Sequence, residues 1–132
     1  MVTRPQPGAT GTPAPRSGRR QRGQAAIEYV GVLVILLVVA LAVVQLGIAV
    51  YAAQQAGTAS RAAARVASLD GQAWKYEQAG RASMSGWLAD GATFTPSGGG
   101  DEMTVTTEVE VPSLLPLLDS WSVTKSATMP RD

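Results

Sequence analysis

No cysteine and no histidine occurs in these 132 residues. Without cysteine there is no disulfide scaffold, no thiolate metal site and no thiol nucleophile. Without histidine the commonest general base and the commonest zinc ligand are both missing. Aromatic residues are scarce at 5%, charged ones at 16%, and the formal net charge is +1. These absences argue against an enzyme, and no catalytic, cofactor or metal site is expected. Proline is absent between Pro15 and Pro96, and charge between Glu28 and Arg61. Those two gaps leave room for one long apolar helix. A chain of this length holds one small domain at most.

What is present falls into three zones. Residues 1–23 combine four Pro, four Gly and five Arg with no acid and no aromatic. Such a segment cannot bury enough surface to offset chain entropy, and it reads as a disordered basic leader. From Val30 to Val50, 18 of 21 residues are apolar. As a helix this run spans about 32 Å at ~1.5 Å per residue. A bilayer core is about 30 Å thick, so a transmembrane segment is expected over about residues 30–50. Arg16, Arg19, Arg20 and Arg22 crowd its N-terminal side. The positive-inside rule then puts the leader in the cytoplasm and the C-terminal part outside, as a single-pass protein of the cytoplasmic membrane.

The helix is expected to continue past the lipid, over residues 24–69. The stretch YAAQQAGTASRAAARVASL is rich in Ala, the best helix former, and Asp70–Gly71 is its first break. Arg61 and Arg65 share one face at i, i+4 and read as solvated. Gln45, the lone polar side chain of the apolar run, either bonds a neighbouring subunit or marks the outer boundary of the span.

Residues 70–132 read as a small exterior domain that leans on the helix or on neighbours. Gln72–Leu88 is expected to form a second, shorter helix, and Pro96–Gly100 a loop. Met103, Val105, Thr107, Val109 and Val111 alternate with Thr104, Thr106, Glu108 and Glu110, the period of a half-buried strand. Trp121, Val123, Lys125, Ala127 and Met129 alternate in the same way. The apolar link PSLLPLLDS joins the two as an antiparallel pair, and a third short strand is expected near Ala92–Thr95. The expected class is a membrane-anchored α+β protein. A long N-terminal transmembrane helix extends outward, followed by a short helix and an antiparallel β-hairpin or small sheet.

The informative junction is Arg22-Gly23-Gln24-Ala25-Ala26-Ile27-Glu28-Tyr29. A basic leader ends in Gly, and one acid stands at the lip of an apolar helix, where an ionisable side chain signals function. Read alone, Glu28 is equally an interfacial acid favoured by the positive end of its helix, and Tyr29 an interfacial anchor. Together with the leader and the spacing, the junction resembles a type IV prepilin processing site of the Flp/Tad class. In that class the leader is cut after Gly, and Glu holds the fifth mature position, followed by Tyr or Phe. The resemblance makes Gly23 the last leader residue, Gln24 the first mature residue, Glu28 the fifth and Tyr29 the sixth. It implies that the new α-amine at Gln24 pairs with Glu28 of a neighbour during assembly, compensating two desolvation penalties. Gln at the first mature position departs from a simple amine, since N-terminal Gln can cyclise.

A wider likeness is to TadE-like pseudopilins. It rests on Gln24-Ala25-Ala26, Glu28-Tyr29, Tyr51-Ala52 and Ala62-Ala63-Ala64-Arg65, and on the ending VTKSATMPRD. It covers about residues 22–67 and 103–132. The likeness implies a subunit of a Tad/Flp type IVb pilus or of its assembly machinery. Implied partners are membrane lipid, a prepilin peptidase, other pilins and pseudopilins including the major pilin, a membrane platform and an assembly ATPase. Homo- or hetero-oligomers form on assembly, and a nucleic-acid partner is not implied. The alternative is an uncleaved, membrane-tethered interaction protein. A secreted protein cut at Ala40-Leu41-Ala42 ranks below both, because that site lies in mid-span.

Overall fold

The computed structural model describes residues 2–8, 10–11 and 17–131. The chain divides into two compact units, residues 1–37 and 38–132. In the first, residues 2–8 and 10–11 are exposed and carry no regular structure, and helix α1 begins at Ser17. The helix thus starts inside the basic stretch read from sequence as irregular. Past Pro15, Arg and Gln are good helix formers and nothing blocks the backbone.

α1 runs Ser17–Ala67. Every large apolar side chain from Val30 to Val39 is 42–62% exposed. A core helix would bury such a run, so these side chains await an apolar solvent. Within the second unit the helix changes character. Ala52, Ala56, Ala59 and Ala63 are fully buried and Ala67 nearly so, while Arg61 and Arg65 stay exposed. The i, i+3/i+4 spacing puts the alanines on one face. Gly71, at φ +77°, takes the left-handed conformation that turns the chain after the helix.

Three short pieces follow: a 3₁₀ turn Ala73–Lys75, α2 (Tyr76–Ala82) and α3 (Gly86–Ala89). The single helix expected over Gln72–Leu88 is broken at Ser83–Ser85. The cause lies in tertiary packing as well as in weak local propensity. Gly80 backs directly onto the Phe94 ring. Arg81 holds the far side of the break by donating to the carbonyls of Ala89 and Ala92, the latter at 2.9 Å, and pairs with Glu77 at 3.0 Å.

The sheet is β1 (Thr93–Ser97), β2 (Glu102–Val111) and β3 (Trp121–Pro130), antiparallel in that order. Pro96 and Ser97 complete β1 rather than opening a loop. β1 is an edge strand, and an edge position tolerates a residue with no N–H to donate. Gly98, at φ +147°, lies so close to Glu102 O that a Cβ would sit 2.5 Å from it, so only glycine suits that turn.

Val105, Thr107, Val109 and Val111 on β2 are buried as their alternation predicts. They pair with Ala127, Lys125, Val123 and Trp121 of β3. β3 is less covered than β2: Val123, Ala127 and Met129 are half-buried, and Trp121 and Lys125 exposed. The core is this valine face with Leu88 and Phe94, set on the alanine face of α1. A fold this small cannot supply a core from its sheet alone, and the helix provides the second layer.

Candidate processing and assembly site

Gly23, Gln24, Glu28 and Tyr29 all lie on α1, and all are exposed, Tyr29 to 70%. Gln24 and Glu28 are one helical turn apart on one face. Arg19, Arg20 and Arg22 are exposed on the preceding turns, and Arg16 lies outside the described residues. Among the described residues Glu28 forms no ion pair; the pair present is Glu77–Arg81.

The Gly23–Gln24 bond is helical, whereas a peptidase needs extended backbone. Three features weaken the helix there. Its first turn carries no acid. Arg19 and Arg20 face the positive end of the helix dipole, the unfavourable sign. Gly23 costs about 1 kcal/mol relative to Ala in a helix interior. A Cβ on Gly23 would meet nothing within 4 Å, so the bond is open to approach from that side.

Tertiary structure supplies a second group of polar side chains that sequence reasoning missed or left open. Gln45 bonds within its own chain: Nε2 donates to Pro112 O at 3.0 Å, and Oε1 accepts from Leu114 N at 2.8 Å. Its amide saturates two backbone groups of the β2–β3 connection, which neither sequence alternative described. Ser60, buried in the alanine face, has Oγ 2.8 Å from Thr107 Oγ1, 2.8 Å from Ala56 O and 2.9 Å from Lys125 O. Gln55 Oε1 accepts from Ser85 N at 3.1 Å, and the Tyr51 hydroxyl bonds the Ser85 hydroxyl. These side chains tie α1 to loops and strands 30 or more residues away in sequence. The one local signal was a polar residue inside an apolar or Ala-rich run. No cluster of three or more metal-ligating side chains occurs among the described residues.

Among the described residues, one N-terminal helix is long and apolar enough to cross a membrane, and a small sheet domain packs on its C-terminal third. The family model of TadE-like proteins matches residues 23–65, and over that segment the chain is TadE-like. The match begins at Gly23 and takes in Glu28, the apolar run and the alanine face as far as Arg65. The match covers about a third of the chain, and the likeness is to that family over that segment. It stops short of residues 103–132, the second part of the likeness read from sequence. No curated protein and no solved structure matches the chain.

Proposed function

We propose that the protein is a TadE-like pseudopilin of a Tad/Flp type IVb pilus or of its assembly machinery. The observation that carries this reading is the spacing of Gly23 and Glu28 at the start of an exposed apolar helix, inside the matched segment. The leader 1–23 stays in the cytoplasm, held by Arg16, Arg19, Arg20 and Arg22. A prepilin peptidase unwinds the weak first turns of α1 and cuts after Gly23. Gln24 becomes the mature N-terminus, and the mature chain carries −4 in side-chain charge, five Arg having gone with the leader.

The helix over about 30–50 then moves from lipid into a bundle with other pilins. There the Gln24 amine and a neighbour's Glu28 lose water together and compensate each other. Tyr29 packs beside them. The platform and the ATPase act on this helix from the cytoplasmic side, while residues 70–132 are displayed outside. The deciding experiment is N-terminal sequencing of protein made with and without the peptidase. The expected result is a chain beginning at Gln24 only when the peptidase is present. A mature N-terminus elsewhere overturns the processing step.

The helical state of Gly23–Gln24 favours a second reading, an uncleaved, membrane-tethered interaction protein. It predicts full-length mass in membranes whether or not the peptidase is present.

A further inference from the structure

The β2–β3 connection, residues 112–120, presents three of its four leucines outward, Leu115 being half-buried. Leu114 is 44% exposed, Leu118 58%, and Leu117 wholly exposed. Leu117 also has φ +74°, a left-handed backbone that disfavours any residue with a Cβ. A leucine held on such backbone, pointing away from its own core, gains nothing in water.

The loop's position supplies its occupant. The two Gln45 hydrogen bonds hold Pro112 and Leu114 against α1 at the level of residue 45, inside the Val30–Val50 apolar run. Val43, Val44, Leu46 and Val50 beside it are 51–66% exposed, so the loop extends an apolar surface that the helix already presents. Aromatic side chains cluster just beyond this level, within two helical turns of Gln45. Tyr51 directly follows the run and stacks on Trp87 at 6.3 Å between ring centroids. Trp87 borders a hollow with Pro112 and Ser120, and Trp121 follows the loop at 47% exposure. Aromatic side chains with one polar edge gather where hydrocarbon meets headgroups. The nearby charges, Glu110 and Asp119, are acidic and suit zwitterionic rather than anionic headgroups.

We propose that the 112–120 loop, flanked by Tyr51, Trp87 and Trp121, seats in the headgroup–acyl boundary of the leaflet on the domain's side. The domain then rests on the bilayer, and the lipid-buried part of α1 ends near Gln45 rather than at Val50. The inference rests on membrane insertion of α1 and is independent of pilus assembly.

The test reconstitutes the full-length chain, without other proteins, into phosphatidylcholine vesicles containing lipids brominated close to the headgroup. One variant keeps only Trp121 (Trp74→Phe, Trp87→Phe). The other keeps only Trp74 (Trp87→Phe, Trp121→Phe), which lies in the 3₁₀ turn beyond the end of α1. Trp121 should be quenched several-fold more than Trp74. Adding Leu114→Asn, Leu117→Asn and Leu118→Asn should bring Trp121 down to the Trp74 level, with circular dichroism and co-flotation unchanged. Equal quenching of Trp121 and Trp74 in chains that co-float with vesicles overturns the proposal and assigns the loop to a protein neighbour. Failure to co-float overturns it through α1 itself. A cut at Gln24 is scored separately, by N-terminal sequencing.

Discussion

Gln45 and Leu114 stand 69 positions apart in the chain, and their amide groups meet at 2.8 Å. The same Gln45 side chain donates to Pro112 O at 3.0 Å, so one glutamine serves both backbone ends of the turn out of β2. Gln45→Leu keeps the side-chain size and removes both bonds. The expected cost is about 1–3 kcal/mol, because a loop N–H and C=O lose their partners. Amide exchange at Leu114 should speed up, while exchange in the middle of β2 follows only the global loss.

Ser60 and Thr107 form a buried hydroxyl pair at 2.8 Å. Ser60→Ala strands the Thr107 hydroxyl and should cost about 1–3 kcal/mol. Thr107→Val should cost less, since Ser60 keeps Ala56 O and Lys125 O within reach. The double variant should lose less than the two single costs combined, as apolar groups then replace both partners. Urea titration of the four proteins measures the cycle.

Gly80→Ala should destabilise the protein although alanine favours helix. The new Cβ would overlap the Phe94 ring and stand 2.7 Å from its Cζ. Overpacking of this kind costs about 1–3 kcal/mol, against a propensity gain of at most about 1 kcal/mol. A lower thermal midpoint, partly restored by adding Phe94→Leu, is the expected outcome.

Arg81→Lys should be far from conservative. The guanidinium reaches Ala89 O, Ala92 O and Glu77 at once and lies 5.7 Å from the centroid of the Phe94 ring. Lysine is a point charge and cannot span the carbonyls of two segments. A loss of about 1–2 kcal/mol is expected from the forfeited hydrogen bonds, seen as faster proteolysis between Ala82 and Ala92.

Glu28→Ala should leave cleavage after Gly23 intact and impair assembly. Removing one partner of a desolvated pair leaves the other uncompensated at about 3–5 kcal/mol. Immunoblots of cell membranes against sheared pili should show processed protein retained in the membrane fraction. Loss of cleavage in this variant would contradict the division of roles between Gly23 and Glu28.

The parts legible in sequence were those encoded by short-range period. β2 was readable because Val105, Val109 and Val111 alternate with Thr and Glu without a fault. The apolar run needed only length and hydropathy. Gln72–Leu88 misled in part because contacts with Phe94 and carbonyls captured by Arg81 add to its weak local propensity, and neither contact has a local signature. Pro96 suggested a loop because an edge position cannot be recognised before the strand order is known. At the candidate site, the Gly23–Glu28 spacing was visible at once, but the helical start at Ser17 was not, since arginine permits helix and irregular chain alike. Gln45 and Ser60 could be seen as oddities and no more, with partners 67 and 47 positions away.

The alanine face of α1 carries one further implication. Ala52, Ala56, Ala59, Ala63 and Ala67 present nearly identical methyl groups to the valines of β2. Sliding the helix by one turn, about 5.4 Å, would set most of these methyls where their neighbours stood, with little change in apolar contact. Methyl packing alone therefore resembles a smooth rail, with several stops of similar depth. The Ser60 hydroxyl and the Gln45 amide act as detents on that rail. Each finds its partners at one stop and would be stranded at the others, so two polar side chains choose which stop the helix occupies.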